Sequence, residues 1–455
     1  MRRVLIANRG EIALRVVRAC FDEELESVLA ASVADRESLA AELADQVVVI
    51  GPAPATESYL SVDRVLAAAK ASGCDALHPG YGFLSERAEL AEACEEEGIA
   101  FVGPPAEVMR RAGDKMSARA VAKQAGIPVG QGSDGLEHLE QAIEAATTAG
   151  YPLMLKASAG GGGRGMAIVE APADLERRFQ SARSEALQAF GDDRVYLERY
   201  VPRARHVEVQ ILADSHGNAI HLGERDCSCQ RRHQKLVEEA PAAGVEPELA
   251  ARIRAAAVTL ARALDYRGAG TVEFLLDTDR GKFVFLEVNA RVQVEHPVSE
   301  MVTGVDIVRE QLRIAAGDPL SVSQDEVEIS GHAVECRINA EDPRHGFIPS
   351  PGLITDWAPP AASGIRIDSH CRRGDTVPPY YDSLLAKVIA HAPDRDGALR
   401  LMARGLERFR IGGVKTTAPL LHDIVSDPTF VASPVTTRWL ESEFIEPWLR
   451  AGPPE

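Results

Sequence analysis

Two short stretches of the sequence carry oxygen-bearing side chains at every second position. In 271–275 and 285–289, apolar and polar residues alternate, as they do on strands with one buried face. Two adjacent strands of this kind would turn Glu273, Glu287 and Asn289 towards one face of a sheet. Two carboxylates and an amide oxygen suit a hard divalent cation. The solvated outer face of a two-stranded sheet is the alternative explanation.

The sequence then continues into a second polar series, Arg291, Gln293 and Glu295. An extended backbone would send these three side chains in the same direction. A guanidinium fork, an amide and a carboxylate can together cradle a small oxyanion, with an acid/base group beside it. Upstream, the segment 231–235 concentrates cations in a chain whose net charge is -18. This local reversal of charge favours an anionic substrate, and a solvated loop is the alternative.

The segment 156–166 holds four consecutive glycines between two strand-like runs. Because glycine is costly to order, a hairpin tip would not need so many. We interpret the segment as a flap whose backbone N–H groups close over phosphate oxygens, with Lys156 as a point charge. It is not a P-loop, because the pattern G-x-x-x-x-G-K-[ST] is absent. Lys115 is a candidate second phosphate ligand. A disordered tip and an isolated surface lysine are the respective alternatives.

The elements that must position these groups follow from the hydrophobic pattern. Over the first hundred residues, short apolar runs alternate with helical patterns, which predicts a mostly parallel sheet covered on both faces. A compact unit of helices and strands at about 131–203 is small enough to move as a lid. From His206 onward the pattern becomes rich in strands. We therefore expect an α/β protein with an α+β C-terminal part.

Composition and charge exclude several classes of function. The acidic net charge and the low content of aromatic residues argue against a nucleic acid as partner, and the charge also argues against an anionic membrane. No stretch approaches the ~20 apolar residues of a membrane span. Seven scattered cysteines without a C-x-x-C pair indicate free thiols, so we expect a cytoplasmic protein. The first strand-to-helix turn, at 8–11, lacks G-x-G-x-x-G, which disfavours a dinucleotide cofactor.

Taken together, these segments resemble the biotin carboxylase family of the ATP-grasp superfamily. The resemblance implies an N-terminal α/β domain (1–113), an ATP-grasp domain (114–330) with a mobile lid at about 131–203, and a C-terminal biotin carboxylase domain (331–447). The matching strings occur in the family's order and extend over nearly the whole chain. They are Ile6–Ala13, His78–Glu86, Lys156–Met166, Glu224–Ser228, Arg231–Pro241, Glu287–Pro297 and His332–Asp342.

The resemblance also implies how the nucleotide would be bound. The nucleotide would be ATP, and Glu198 would lie at its adenine, alongside backbone groups of the hinge. Glu273 and Glu287, with Asn289, would ligate Mg²⁺ or Mn²⁺, and two metal sites are expected. The remaining residues of the nucleotide site would be Lys115, Lys156, Gly161, Gly162, Gly163, Arg164, Gly165, Met166, His206, His233 and Gln234.

For the other substrates, the resemblance implies a bicarbonate site next to a biotin site. Bicarbonate would be bound by Lys235, Arg291, Gln293 and the backbone of Val294. Glu295 would be the general base that deprotonates bicarbonate. Arg337 would stabilise negative charge on the ring oxygen of biotin. The implied reaction makes carboxyphosphate from ATP and bicarbonate and then gives N-carboxybiotin, ADP and phosphate.

The implied partners are a biotin carrier and a carboxyltransferase, and the implied oligomer is a homodimer. The chain contains no Met-Lys-Met tripeptide of the kind that carries biotin, so biotin is expected on another polypeptide or domain. Another ATP-grasp carboxylate ligase is the first competing hypothesis, and it should lack the 291–295 series combined with Arg337 and the string His78–Glu86. A regulatory protein that has lost catalysis is the second, and it should lack Glu295, Lys235 or a metal carboxylate.

Overall fold

The computed structural model describes residues 1–133, 135–158 and 166–452. The first strands are β1 Arg3–Ile6, β2 Glu26–Ser32, β3 Gln46–Gly51, β4 Ala76–His78 and β5 Ala100–Phe101. The first helices are α1 Gly10–Asp22, α2 Leu39–Leu43, α3 Val62–Ala71, α4 Ala88–Glu96, α5 Ala106–Gly113 and α6 Lys115–Gln124. The strands form the predicted parallel sheet, and their order in it is β3-β2-β1-β4-β5. Leu5 packs against helices on one face, and Val4 and Ile6 pack against α1 on the other.

A small unit with its own hydrophobic core follows. It contains α7 Leu139–Ala149, β6 Leu153–Ala157, β7 Met166–Val169, α8 Leu175–Phe190 and β8 Val195–Arg199. The antiparallel sheet has the order β7-β6-β8, and the two helices pack on it through residues such as Leu155, Phe179 and Leu197. We call this unit the lid, and its mobility stays a prediction.

The central part of the molecule is one eight-stranded antiparallel sheet. Its first strands are β9 Ala204–Ala213, β10 Ala219–Arg231, β11 Gln234–Ala240, β12 Gly268–Asp277 and β13 Lys282–Asn289. The helices of this region are α9 Pro247–Ala263, α10 His296–Thr303 and α11 Ile307–Ala316. Helix α10 has Pro297 in its first turn and stops at Gly304, whose φ of 73° is left-handed.

The C-terminal segment completes the same sheet. Its strands are β14 His332–Asn339, β15 Glu341–Asp342, β16 Ile348–Pro349, β17 Gly352–Leu353, β18 Asp356–Ala358, β19 Ile365–Ser369, β20 Thr376–Val377, β21 Leu384–Ala392 and β22 Arg410–Gly412. Its helices are α12 Arg395–Arg408, α13 Ala418–Ser426, α14 Pro428–Ala432 and α15 Ile445–Ala451. The order in the large sheet is β13-β12-β9-β10-β11-β14-β21-β19, so strands from both sides of residue 330 are hydrogen-bonded neighbours. Helix α10 packs across four of these strands, β10, β11, β14 and β21.

Strand β10 is longer than its hydrophobic pattern indicates. The alternation suggests an end near Glu224, but the strand continues to Arg231. Its second half carries buried polar side chains that find partners on β9: Arg225 donates to Glu208 at 2.6 Å, and Ser228 accepts from a β9 backbone N–H. Among the described residues, no helix combines the length and the apolar character that a bilayer span requires.

Candidate active site

A cavity of about 1370 Å³ lies where the lid, the large sheet and the C-terminal segment meet. The lid contributes Lys156 and Glu198. In the large sheet, β12 contributes Glu273, and β14 of the C-terminal segment contributes Arg337. Groups that are distant in sequence are therefore brought to one place. The predicted site residues that line this cavity are Lys115, Lys156, Met166, Glu198, His206, His233, Gln234, Lys235, Glu273, Glu287, Asn289, Arg291, Gln293, Val294 and Arg337.

The predicted metal carboxylates lie on neighbouring strands. Glu273 of β12 is directly opposite Glu287 of β13, and a bulge follows Glu273. The side chain of Asn289 donates to Glu273 Oε1 at 2.9 Å, and Lys115 Nζ lies 3.0 Å from Glu287. His206 Nε2 lies 2.9 Å from Glu273 Oε2. The hard oxygen donors of these side chains fit a divalent cation, and their role as its ligands stays a prediction.

Charge partners shift the pKa values on this strand pair. Burial alone would raise the pKa of Glu273, but Lys235 and His206 outweigh it, and the pKa lies far below its usual value. Conversely, burial lowers the pKa of His206, but Glu273 reverses the effect and the net pKa is raised. Glu273 is therefore ionised.

Lys235 is the centre of the charge network. Its ammonium group lies 2.6 Å from Glu208, 3.1 Å from Glu273 and 2.6 Å from Glu295. Burial disfavours the charged form, but these carboxylates raise the pKa of Lys235 well above its usual value. Lys235 is therefore a fixed positive charge that faces the cavity.

The strand ends at Asn289, and the backbone then bends at Arg291 and turns at residues 294–295, so the expectation of an extended strand is wrong. Glu295 has φ -81° and ψ 9° at the N-cap of α10. The turn still joins two of the side chains: Arg291 donates to Gln293 Oε1 at 3.0 Å and, from Nε, to Glu86 at 2.7 Å. Gln293 is 3.4 Å from Glu273. Glu295 makes no side-chain capping hydrogen bond to α10, so its carboxylate is left to partners outside the helix.

Glu295 is completely buried behind the cavity wall. Lys235 approaches one carboxylate oxygen at 2.6 Å, and Arg337 approaches the other at 2.8 Å. Burial raises its pKa, but Lys235, Arg337 and Arg225 together hold the pKa well below the usual value. Glu295 is thus ionised and covered by the two cations that line the cavity.

The lid contributes a second ion-pair cluster. Lys156 lies 2.6 Å from Glu198, which is also bound by Arg119. Burial raises the pKa of Glu198, but Lys156 and Arg119 reverse the effect and lower it. Five predicted phosphate ligands lie outside the described residues, and they are Gly161, Gly162, Gly163, Arg164 and Gly165.

A two-residue turn places His233 and Gln234 at the cavity rim. Arg231 and Gln234 are paired at the ends of β10 and β11, and the residues between them, Arg232 and His233, have φ of 46° and 65°. Two positive φ values are the signature of a type I′ hairpin, which here is formed without glycine. Both His233 and Gln234 are exposed.

Several residues of the network escaped the sequence-based site. Arg225 is fully buried and donates to Glu208 at 2.6 Å, to Gln210 at 2.7 Å and to two hydroxyl groups. Lys387, also fully buried, donates to the carbonyl of Val294 at 2.9 Å. Glu208 had a weak signal, because it stands in the alternating series His206, Glu208 and Gln210, whose polar side chains share one face of β9. Lys387 stands in an apolar strand.

Three family models match this chain. They are the biotin carboxylase N-terminal domain at 1–109, the carbamoyl-phosphate synthase L chain ATP-binding domain at 114–323, and the biotin carboxylase C-terminal domain at 335–442. Biotin carboxylase of Pseudomonas aeruginosa is 52% identical and aligns over 97% of this chain and 98% of its own. Biotin carboxylase 1 of Bacillus subtilis is 47% identical and aligns over 97% of this chain and 98% of its own.

Solved structures agree with this match. A biotin carboxylase complex with β,γ-ATP from Campylobacter jejuni is 45% identical and superposes with a TM-score of 0.94, covering 97% of this chain and 98% of that one. The biotin carboxylase domain dimer of Hydrogenobacter thermophilus 2-oxoglutarate carboxylase contains MgADP, ADP and bicarbonate. It is 45% identical and superposes with a TM-score of 0.95, covering 100% of this chain and 99% of that one. The predicted ATP-grasp fold is confirmed, and this chain belongs to the biotin carboxylase family.

Proposed function

We propose that this chain carboxylates biotin with bicarbonate at the expense of ATP, by way of carboxyphosphate, and releases N-carboxybiotin, ADP and phosphate. This is the first half-reaction of a biotin-dependent carboxylase. The observation that carries the proposal is the position of Glu295 between Lys235 and Arg337, at 2.6 and 2.8 Å. A base that lies between a cation for bicarbonate and a cation for biotin fits a reaction that joins those two substrates.

Lys115 and Lys156, with the loop 161–165, would bind the phosphates of ATP. Both ammonium groups are held by carboxylates of the protein, Glu287 at 3.0 Å and Glu198 at 2.6 Å. A phosphate that replaces these partners keeps each buried charge compensated, whereas an unpaired buried charge would be strongly destabilising. Glu198 would then serve the adenine side of the site, and Met166, His206, His233 and Gln234 would line the rest.

Glu273, Glu287 and Asn289 would hold Mg²⁺ or Mn²⁺, and we propose two metal sites near them. Metal bound there would offset the negative charge that develops on the transferred phosphoryl group. Both carboxylates already accept a positive partner, Glu273 from Lys235 at 3.1 Å and Glu287 from Lys115 at 3.0 Å, and this supports the assignment.

Bicarbonate would be bound by Lys235, Arg291, Gln293 and the Val294 backbone, and Glu295 would remove its proton. The low pKa keeps Glu295 ionised but also makes it a weak base. When bicarbonate takes Lys235 as its counterion, Glu295 loses part of the positive field that lowers its pKa, so its basicity rises. Substrate binding would thus both uncover the base and strengthen it.

Arg337 would stabilise negative charge on the ring oxygen of biotin when the ureido nitrogen loses its proton. Carboxyphosphate would release CO₂ beside biotin, and the departing phosphate would accept that proton. The lid, closing over the cavity, would keep water away from carboxyphosphate, which water would otherwise hydrolyse. Arg337 is well placed because its Nη2 already contacts Glu295 at 2.8 Å, so the two substrates would meet at the same carboxylate.

Biotin would arrive on a separate carrier domain or protein, and a carboxyltransferase would use the product. A homodimer is proposed, and the domain dimer of the Hydrogenobacter relative supports it. A cytoplasmic location is also proposed, and the seven cysteines, all buried and free of disulfide bonds, support it.

The test is ADP release in the presence of Mg-ATP, with bicarbonate and biotin omitted in turn. The proposal predicts release that requires bicarbonate and rises with free biotin or with a biotinylated carrier domain. Release that responds to neither bicarbonate nor either form of biotin would refute it and would favour another ATP-grasp carboxylate ligase.

A further inference from the structure

Two buried carboxylates beside Arg337 have no role in the mechanism above. Glu238 of β11 and Glu335 of β14 are directly opposite each other in the antiparallel strand pair, and both are fully buried. Directly opposed residues have Cβ atoms about 4.5–5.5 Å apart and share a face of the sheet. The two acids can therefore reach each other in a place shielded from solvent.

The hydrogen bonds of this pair are incomplete. Glu238 Oε1 accepts from Arg337 Nε at 2.5 Å. Within the described ranges, Glu238 Oε2 and both oxygens of Glu335 meet no hydrogen-bond donor. A buried ionised carboxylate without donors is strongly disfavoured. One proton shared by the two acids would supply the missing donor.

In the part of the chain that the structure describes, the cations near Glu335 make no hydrogen bond to it. Lys387, opposite Arg337 on β21, is already bound to Glu11 at 3.1 Å and to the carbonyl of Val294 at 2.9 Å. The other charged and titratable groups that interact with the two acids are Lys235 from β11, Cys227 and Cys229 from β10, Arg337 and Cys336 from β14, Lys387 from β21, and Glu295 from the start of α10. Glu11, Asp368 and His296 surround Lys387 instead.

These surroundings agree with a protonated acid. Burial raises the pKa of Glu335 well above its usual value, and the charge of Glu238 adds to the shift although Lys387 and Arg337 oppose it. Burial likewise raises the pKa of Glu238 to about 7. Two like acids in one buried site hold their last proton tightly, because both cannot ionise cheaply.

We propose that Glu335 is a positioning residue of the biotin site that stays protonated and donates a hydrogen bond to Glu238 Oε2. Glu238 then keeps one negative charge, directed through Oε1 at Arg337. The inference rests on the proposed function, because Arg337 is the group assigned to the oxygen of biotin. A second charge, on Glu335, would draw the guanidinium group towards the protein and away from the substrate.

The pair gives the enzyme a dependence on pH. Because burial raises the pKa of both acids, their contribution to stability is complete below the ordinary carboxyl value of about 4.3 and is lost as the pH rises through the raised values. The first step, at about 7, ionises Glu238 and forms the charge that faces Arg337. We expect the KM for biotin to rise in the second step, when Glu335 loses its proton, while the KM for ATP does not follow.

The kinetic test uses Glu335→Gln and Glu335→Leu. Gln supplies an N–H donor that does not titrate, so the KM for biotin should stay within about twofold of the native value and its rise with pH should flatten. Leu removes the donor, so the KM for biotin should increase about tenfold, the equivalent of one net hydrogen bond. Equal increases in the KM values for ATP, bicarbonate and biotin would indicate a merely structural role and overturn the proposal.

A spectroscopic test is independent of turnover and of how Glu335→Leu folds. Infrared spectra of the native protein below neutral pH should contain the carbonyl stretch of a protonated carboxyl group that Glu335→Gln lacks. If the two proteins have the same spectrum in this region, Glu335 is ionised and the proposal is refuted even for an enzyme that carboxylates biotin. If the band is present but biotin is never carboxylated, the proton pair stands and the proposed function fails.

Discussion

Replacing Glu295 by Gln should separate catalysis from stability. The carboxylate accepts from Lys235 at 2.6 Å and from Arg337 at 2.8 Å. Neither cation is orphaned by the change, because Lys235 keeps two other carboxylates and Arg337 keeps Glu238. We therefore expect a loss of about 1–3 kcal/mol in the free energy of unfolding, the range of a charged hydrogen bond. An orphaned buried charge would cost about 3–5 kcal/mol.

The same substitution should remove most of the activity. A general base contributes about 10²–10⁴-fold to a rate, which corresponds to about 2.7–5.4 kcal/mol of activation free energy. The assay is bicarbonate-dependent ADP release at saturating biotin, with urea unfolding measured on the same preparation. Gln has nearly the shape of Glu, so the loss of activity would report the lost proton acceptor.

Glu239→Gln is the matched control. Glu239 lies on β11 like Lys235, is buried, and is bound by His332 at 2.9 Å and Arg395 at 2.6 Å, but it does not line the cavity. We expect a similar loss of stability and an unchanged turnover per folded molecule. If Glu295→Gln retains turnover within tenfold of the native enzyme, or if both variants lose it equally, the assignment of the base is wrong.

Three further predictions concern the nucleotide, the metal and acid stability. Lys156→Met should raise the KM for ATP about tenfold or more, as for the loss of one buried phosphate contact, and Lys156→Arg should recover part of it; nucleotide titration measures both, and an unchanged KM would contradict the role. Glu287→Gln should raise the Mg²⁺ concentration for half-maximal activity about tenfold, because one charged ligand is lost; an unaltered metal titration would argue against this ligand. Because the pKa of Glu295 is lowered in the folded protein, its stabilising contribution is present above about pH 4.3. That contribution is lost as the pH falls towards the pKa of Glu295 in the folded protein. The free energy of unfolding of Glu295→Gln in urea should therefore depend less on pH on the acid side. Parallel pH curves for the two proteins would contradict that reasoning.

The regular elements were largely predictable from the sequence. The alternating segments 271–275 and 285–289 lie in β12 and β13, as the pattern predicts. Periodicity works there because each strand has one continuous apolar face. The same alternation put Glu273 and Glu287 on facing strands, since the polar positions are in phase.

The charge network was less predictable, because its partners come from distant strands. Strand periodicity failed at Glu295, where the chain turns into α10 and the carboxylate is held by Lys235 and Arg337 from other strands. The contact of Lys235 with Glu208 depends on β9 and β11 lying on either side of β10, which no local pattern encodes. Likewise, the pairing of Glu238 with Glu335 requires that β14 continue the large sheet from the C-terminal side of residue 330.

The most direct test of the central claim follows the oxygen atoms of bicarbonate. Bicarbonate labelled with ¹⁸O and ¹³C is supplied with Mg-ATP and biotin, and phosphate and N-carboxybiotin are analysed by mass spectrometry. Formation and cleavage of carboxyphosphate predict one ¹⁸O atom in each phosphate released, and ¹³C with the other two ¹⁸O atoms in N-carboxybiotin. Phosphate without ¹⁸O, released together with ADP and labelled N-carboxybiotin, would contradict the phosphorylation of bicarbonate, and unlabelled biotin would contradict the reaction itself.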